Sequence, residues 1–243
     1  RGGTAETVDV AIPEGYTVSQ IIELLAENGV GSEEDLAEIA ENYVFEDYEF
    51  VDNENLGSLS RLEGYLFPDT YNFYVGARPE LAFNAMLSNF KTKVYNNEDL
   101  TELFGESEYS LPEIITIASL VERETDGGDR DKIASVIYNR LENDGETNRL
   151  LQIDAALVYA ASRPITQEDY TSLDSPYNLY QHTGLPPTPI ANPGIAAIRA
   201  ALMPADTDYY FYVLDPESKQ HVFSETLAQH NKAVAEAAAK AEN

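Results

Sequence analysis

The sequence predicts an α+β fold, with a small βααβ module followed by a mainly helical region that ends in a β-hairpin. Three observations carry this expectation. Two runs with strand character, Val8–Ile12 and Thr70–Val75, flank two capped amphipathic helical stretches. From Pro79 onward, apolar residues recur at helical spacing in segment after segment. Near the end, two β-prone runs are separated by Asp215-Pro216. The expected division is 1–78 and 79–243.

Each element has a local reason. Val8-Asp9-Val10-Ala11-Ile12 alternates as a half-buried strand does, and Pro13-Glu14-Gly15 turns the chain. Thr17 and Gln20 form a capping box for a helix carrying Ile21, Ile22, Leu24 and Leu25, which Gly29 ends. Ser32 caps a second helix on which Leu36, Ile39, Ala40 and Tyr43 recur at helical spacing. After a polar loop over 52–60, Tyr65-Leu66-Phe67 and Thr70 to Val75 read as strand, so that the module's two outer strands can pair. In the second region, Phe83, Met86, Leu87, Phe90 and Val94 mark one helix, and Ile133, Val136, Ile137 and Leu141 mark another. Asn192-Pro193-Gly194 opens a short helix stopped by Pro204. Tyr209–Leu214 and His221–Phe223 form the hairpin, and an Ala-rich helix follows Ser224.

Composition narrows the function classes. With 43% hydrophobic residues, the 243-residue chain can build a substantial core. Its 43 acidic and 15 basic residues, a net charge of −28, argue against nucleic acid or anionic lipid as a partner of a basic surface. The absence of cysteine excludes disulfides, thiolate catalysis and cysteine zinc sites. His182, His221 and His230 lack close ligand spacing, so no metal is expected. Asp126-Gly127-Gly128-Asp129-Arg130-Asp131 departs from a calcium loop and reads as the cap of the next helix. P-loop, nucleophile-elbow and dinucleotide patterns are missing, and no cofactor is expected. No apolar run is long enough to span a bilayer. The chain begins Arg1-Gly2-Gly3 without methionine, which reads as a trimmed sequence and leaves room for a removed anchor or signal.

One helix stands out for chemistry. Ser110 and Glu113 form a capping box, Pro112 suits the first turn, and Ile114, Ile115, Ile117, Ala118, Leu120 and Val121 cover nearly every face. A helix so apolar is normally buried. At its carboxyl end stands Glu122, where desolvation and the negative end of the helix dipole both favour the protonated form that a general acid needs. The alternative is a solvated helix end, Glu122-Arg123-Glu124. Glu122 and Glu124 are two apart, so they point to roughly opposite sides and do not make a carboxylate pair. Further along, Asn139-Arg140-Leu141, Gln152, Asp154, Ser175-Pro176-Tyr177-Asn178-Leu179-Tyr180 and the proline-stiffened stretch Gly184 to Gly194 combine rings and amides in loops. Such loops suit a sugar-binding groove, and they equally suit ordinary turns.

Taken in order, these motifs resemble the YceG-like family, the endolytic murein transglycosylases (MltG). The resemblance runs along nearly the whole chain, through Leu62 to Tyr71, Ile117 to Thr125, Ala134 to Leu141, Ser175 to Tyr180, Gly184 to Gly194 and His221 to Ser224. The βααβ order has the layout of a LysM-type module, and the resemblance implies a lytic-transglycosylase-like catalytic domain after it. It further implies a membrane-anchored bacterial enzyme acting outside the cell membrane. The substrate would be peptidoglycan glycan strands, cleaved at the MurNAc–GlcNAc bond to leave 1,6-anhydroMurNAc ends. The cell-wall synthesis and division machinery would be possible company, with the membrane touched only through the anchor. The family's catalytic glutamate is carried onto Glu122, with Gln152, Asp154, Tyr177, Asn178, Glu124, Asn139 and Arg140 as candidate glycan contacts. Where relatives usually read Gln-Ser/Thr-Asp-Pro/Ala-Thr, this chain reads Gln152-Ile153-Asp154-Ala155-Ala156, and Thr188 replaces a common glycine. Two other readings compete: a non-catalytic peptidoglycan-binding or division-scaffold protein, and a hydrolytic muramidase or cortex-lytic relative.

Overall fold

The structure, a computed structural model, describes residues 6–125 and 127–241. Strands β1 (Thr7–Ala11) and β2 (Thr70–Tyr74) pair antiparallel, Val8 opposite Phe73 and Val10 opposite Tyr71. Between them lie helices α1 (Val18–Glu27) and α2 (Glu33–Asn42). The expected pairing of the module's outer strands is therefore present. At the start of α1, Gln20 N–H donates to the Thr17 hydroxyl at 3.2 Å and Thr17 N–H to the Gln20 side chain at 2.9 Å. Val18, Ile21, Ile22 and Leu25 face the core.

Tyr65-Leu66-Phe67 is not a strand. Gly64 sits at φ +92°, and Gly64 and Leu66 N–H groups donate to the Asn192 side-chain oxygen at 3.0 and 2.9 Å instead of to a neighbouring strand. A Cβ on Gly64 would lie 2.6 Å from Ile115 and 2.7 Å from Pro189, so only glycine allows this approach. The loop before it is ordered by Arg61, which is 5% exposed. Its guanidinium donates to the Asp52 and Ala40 carbonyls and to the Asn53 side chain.

The second region contains α3 (Glu80–Phe90), α4 (Glu98–Glu106), α5 (Leu111–Glu124) and α6 (Arg130–Glu142). Then come α7 (Asp154–Ala161), the single turn α8 (Asp169–Ser172), α9 (Ile195–Leu202), hairpin strands β3 (Phe211–Leu214) and β4 (His221–Ser224), and α10 (Leu227–Ala241). The helix expected over Phe83 to Val94 leaves α geometry after Phe90 and runs through one wider π turn, Lys91–Tyr95. The β3–β4 hairpin is antiparallel, with Phe211 opposite Ser224.

Helix α5 is the axis of this region. Ile114 through Val121 are all at most 4% exposed, and α6, α7 and α9 pack around them. Asp129 stands at the cap position of α6, but its side chain accepts from the Thr125 hydroxyl at 2.7 Å and meets His221 Nδ1 at 2.9 Å. The expected cap is thus a link between α5, α6 and the hairpin. Asp126, the first residue of that expectation, lies outside the described residues.

One apolar core runs through both regions. A polar buckle crosses it. Asn192 is wholly buried; its side-chain amide donates to the Tyr16 carbonyl at 2.9 Å and to Glu63 at 3.0 Å. Glu63, 2% exposed, also accepts from Val18 N–H at 3.1 Å and the Tyr159 hydroxyl at 3.2 Å. Burial pushes its carboxyl up to about 8, against three hydrogen bonds that favour the anion. The unfolded chain ionises this group near 4.5, so Glu63 favours folding fully below that pH and loses the contribution as pH rises to about 8. Thermal unfolding should therefore show a falling Tm across that window, and Glu63→Gln, which cannot ionise, should flatten it. An equally steep fall in the variant would contradict the burial argument.

Candidate active site

The last residues of α5 face three environments. The helix starts firmly, since the Glu113 carboxylate accepts from the Ser110 N–H at 2.8 Å and its hydroxyl at 2.6 Å. At the other end successive side chains are rotated by about 100°. Glu122, Arg123 and Glu124 therefore separate.

Glu122 is enclosed, its side chain 5% exposed, but not among apolar groups alone. One oxygen meets the Arg130 guanidinium at 3.2 Å. The other accepts from the Gly194 N–H at 2.9 Å, at the amino end of α9, where a carboxylate is favoured. Glu14 lies against the same glycine, since a Cβ on Gly194 would fall 1.8 Å from its carboxyl oxygen. Burial, with the Glu122 charge next, pushes the Glu14 carboxyl up. Glu122 thus ties α5 to α6 and α9.

Glu124 opens instead into a cavity of about 590 Å³, shared with Arg140, Gln152, Asp154, Tyr180, Tyr212, His230 and Asn231. Tyr212 donates its hydroxyl to Glu124 at 2.5 Å. Burial is the main cause that raises the Glu124 carboxyl above its usual range, and the Asp154 charge adds to it. The Tyr212 hydroxyl and the positive Arg140 act the other way. Arg140, 6% exposed, donates to the Tyr210 and Leu151 carbonyls and lies over the Phe211 and Tyr212 rings. Gln152 is placed by a left-handed backbone, φ +52°, with its N–H donating to the Leu179 carbonyl. Asp154 accepts from the Tyr180 hydroxyl at 2.5 Å and the Tyr170 hydroxyl at 3.1 Å.

The cavity therefore gathers four residues named from the sequence: Glu124, Arg140, Gln152 and Asp154. It does not include the other four. Glu122 is engaged as described. Asn139 donates to the Thr207 and Tyr209 carbonyls and lines a different hollow beside Tyr109 and Glu142. Asn178 is wholly buried, pinning its own loop through the Leu173 carbonyl at 3.0 Å and the Tyr180 N–H at 3.2 Å. Tyr177 bonds Thr188 at 2.7 Å and lines a cleft on the far side of α7. That bond also accounts for Thr188. The expected single groove over Glu122, Gln152, Asp154, Tyr177 and Asn178 is thus divided. The cleft is larger, about 840 Å³, but its carboxylate is the exposed Glu23. The chemistry favours the smaller cavity.

From the sequence Tyr180 stands out only as the end of the Ser175 to Tyr180 loop, and Tyr212, His230 and Asn231 do not stand out as site residues. Their loop, strand and helix reach α5 only through tertiary folding, and His230 is placed by stacking on Phe211 at 5.1 Å. Among the described residues, no group of three or more His, Asp or Glu side chains is placed to hold a metal ion.

The two glutamates should respond differently to removal of charge. Glu122→Gln removes one carboxylate contact from the Arg130 guanidinium and should cost about 1–3 kcal/mol of stability. Glu124→Gln removes a carboxyl that burial disfavours and should leave Tm unchanged or raised. Paired thermal melts check this, and a larger loss in Glu124→Gln would contradict it.

Comparison with known proteins agrees with this architecture. The model of the YceG-like family matches residues 1–236. An endolytic murein transglycosylase of Bacillus subtilis (strain 168) is 35% identical over 96% of this chain and 66% of its own length. One from Streptococcus pneumoniae serotype 2 (strain D39 / NCTC 7466) is 30% identical over 97% of this chain and 46% of its own. The chain thus spans just under two thirds and under half the length of these two relatives. The crystal structure of a putative yceG-like protein from Listeria monocytogenes superposes with a TM-score of 0.82 at 30% identity, covering 95% of this chain and 76% of that one. With a family match over almost every residue, this chain belongs to the YceG-like family.

Proposed function

We propose that this chain is an endolytic murein transglycosylase and that Glu124 is its general acid. The observation that carries the reading is a raised, partly buried carboxyl facing a polar cavity lined by Asp154, Gln152 and two tyrosines. The names of the Bacillus and Streptococcus relatives support the substrate class.

In this reading a glycan strand lies with a MurNAc–GlcNAc bond at Glu124. The protonated carboxyl donates to the departing glycosidic oxygen, and the carboxylate so formed takes the proton from the MurNAc C6 hydroxyl. That oxygen closes onto C1, which leaves a 1,6-anhydro end and returns the proton to Glu124. The nucleophile belongs to the same sugar, so its effective concentration is high and a second catalytic carboxylate is not required. Tyr212 orients the acid. Gln152 and Asp154, the latter steadied by Tyr170 and Tyr180, are assigned to holding the sugar. Arg140 is assigned to positioning, since its Nε and one terminal nitrogen donate to backbone carbonyls.

Asp154 in the same cavity favours one competing reading, hydrolysis with Asp154 activating a water, which leaves reducing ends instead. We further assign residues 1–78 as a LysM-like glycan-binding module and 79–243 as a lytic-transglycosylase-like catalytic region. The order and pairing of β1, α1, α2 and β2 support the module. Murein lies outside the cell membrane, so the catalytic region is placed there. Among the described residues no helix is long and apolar enough to cross a membrane, and the single-pass anchor rests on the family resemblance.

Mass analysis of products from purified strands tests the assignment. Glu124→Gln should lower formation of anhydro ends by at least about 10²-fold, whereas Glu122→Gln should retain activity in proportion to its folded fraction. The opposite pattern would return the acid to Glu122, and reducing ends would favour hydrolysis. The acid works protonated, so the rate should fall as pH rises through the raised pKa of Glu124. Tyr212→Phe deletes a donor that favours the anion and should move that fall to higher pH. A shift to lower pH would contradict the role of Tyr212.

A further inference from the structure

The large cleft beyond α7 has a construction of its own. It lies between the start of α1, the loop at Ser58–Ser60 and one side of α7. Ala155, Val158, Tyr159 and Ser162 make a continuous stripe along that side, at helical spacing. Asp154, at the first position of the same helix, faces the cavity of Glu124 instead. Passing from Asp154 to Val158 advances about 6 Å along the axis, so the two hollows are neighbours across one helix. They are also joined through α5, because Arg123, which lines the cleft, precedes Glu124 in the chain.

Arg123 is an exposed cation in a strongly acidic molecule. With 43 acidic and 15 basic residues, an anion is repelled by most of the surface. The other arginine of the cleft, Arg163, is already held by both oxygens of Asp169 at 2.8 and 2.7 Å. Arg123 has no carboxylate within ion-pair distance among the described residues; one of its nitrogens donates to the Gly15 carbonyl at 3.1 Å. Its residue is exposed, and the acidic group that shares the cleft, Glu23, is exposed as well. The amino end of α1 is not the anion site, since Val18 N–H is taken by Glu63. The rest of the lining mixes hydroxyls such as Thr17, Ser60 and Ser175 with apolar side chains and the rings of Tyr159 and Tyr177. That mixture suits a short peptide that carries a carboxylate, for which an arginine fork is the matched donor.

We propose that this cleft binds the acidic peptide substituent of the murein strand, with Arg123 receiving a peptide carboxylate while the sugar backbone occupies the cavity of Glu124. The proposal rests on the murein reading and deepens it: the enzyme reads the peptide on the strand as well as the sugar.

Two measurements on the whole chain separate the claims. The first is binding of a synthetic murein stem peptide with free carboxyls, followed by backbone amide NMR shifts over Ala155–Ser162. The wild type should shift there; Arg123→Gln should weaken binding about tenfold, Arg123→Lys should keep part of it, and the peptide with amidated carboxyls should not bind. Ala160→Glu places a negative charge in the lining while leaving the Arg123–Gly15 bond in place. It should also abolish binding, so the conclusion survives if Arg123→Gln misfolds. The second is the ratio of cleavage rates on peptide-bearing and peptide-stripped strands, which should fall about tenfold in both variants. Equal binding of the free and amidated peptides, no shift in the wild type, or a rate ratio unchanged in both variants would overturn the proposal. A wild type that binds the peptide but cleaves neither strand would instead overturn the murein-cleavage reading.

Discussion

The rotation of about 100° per residue at the end of α5 sends three charged side chains in three directions. Glu122 turns toward Arg130 and Gly194, Arg123 toward Gly15 and the cleft, and Glu124 toward Tyr212 and the cavity. A frayed or shifted helix end would lose all three. The wholly buried body of α5 fixes that end from behind, and the Glu122 contacts fix it from the side. Glu122 thus bears on the fold, by tying the last turn of α5 to α6 and α9.

The βααβ module is part of the same construction. Glu63 and Asn192 join α1, the Gly64 turn, α7 and the proline-stiffened loop in one buried polar cluster. Buried polar groups must find partners, and these find them across the boundary between the regions. Ser119 on α5 adds a further link by accepting from the Ile190 N–H at 3.0 Å. The motifs around Gly64 and Asn192 are therefore two halves of one joint, which holds α7 and α5 in the relation that separates the cavity from the cleft.

Much of the fold was legible because it is encoded locally. Capping pairs such as Thr17–Gln20 and Ser110–Glu113 announce helix starts, and the alternation of Val8 to Ile12 announces a strand. What escaped depends on partners far along the chain. Tyr65–Phe67 has strand-like residues, yet its N–H groups are claimed by Asn192. In α5 the apolar residues cover nearly every face, so periodicity cannot say which of Glu122 and Glu124 meets solvent, and Arg130, Gly194 and Tyr212 decide it. Gln152, Asp154 and Arg140 were recognisable as site candidates, whereas Asn178 and Asn139 resemble sugar-binding amides in sequence and serve as backbone pins in the fold.

In the proposed reaction Glu124, not Glu122, meets the scissile bond. The most direct measurement is a crystal structure of the Glu124→Gln variant with a murein oligosaccharide bound. The glycosidic oxygen should lie within hydrogen-bond reach of the side chain at position 124, about 2.6–3.2 Å, with Asp154 and Gln152 on the flanking sugars. A glycosidic bond seated at Glu122, or a strand bound only in the cleft beyond α7, would contradict it.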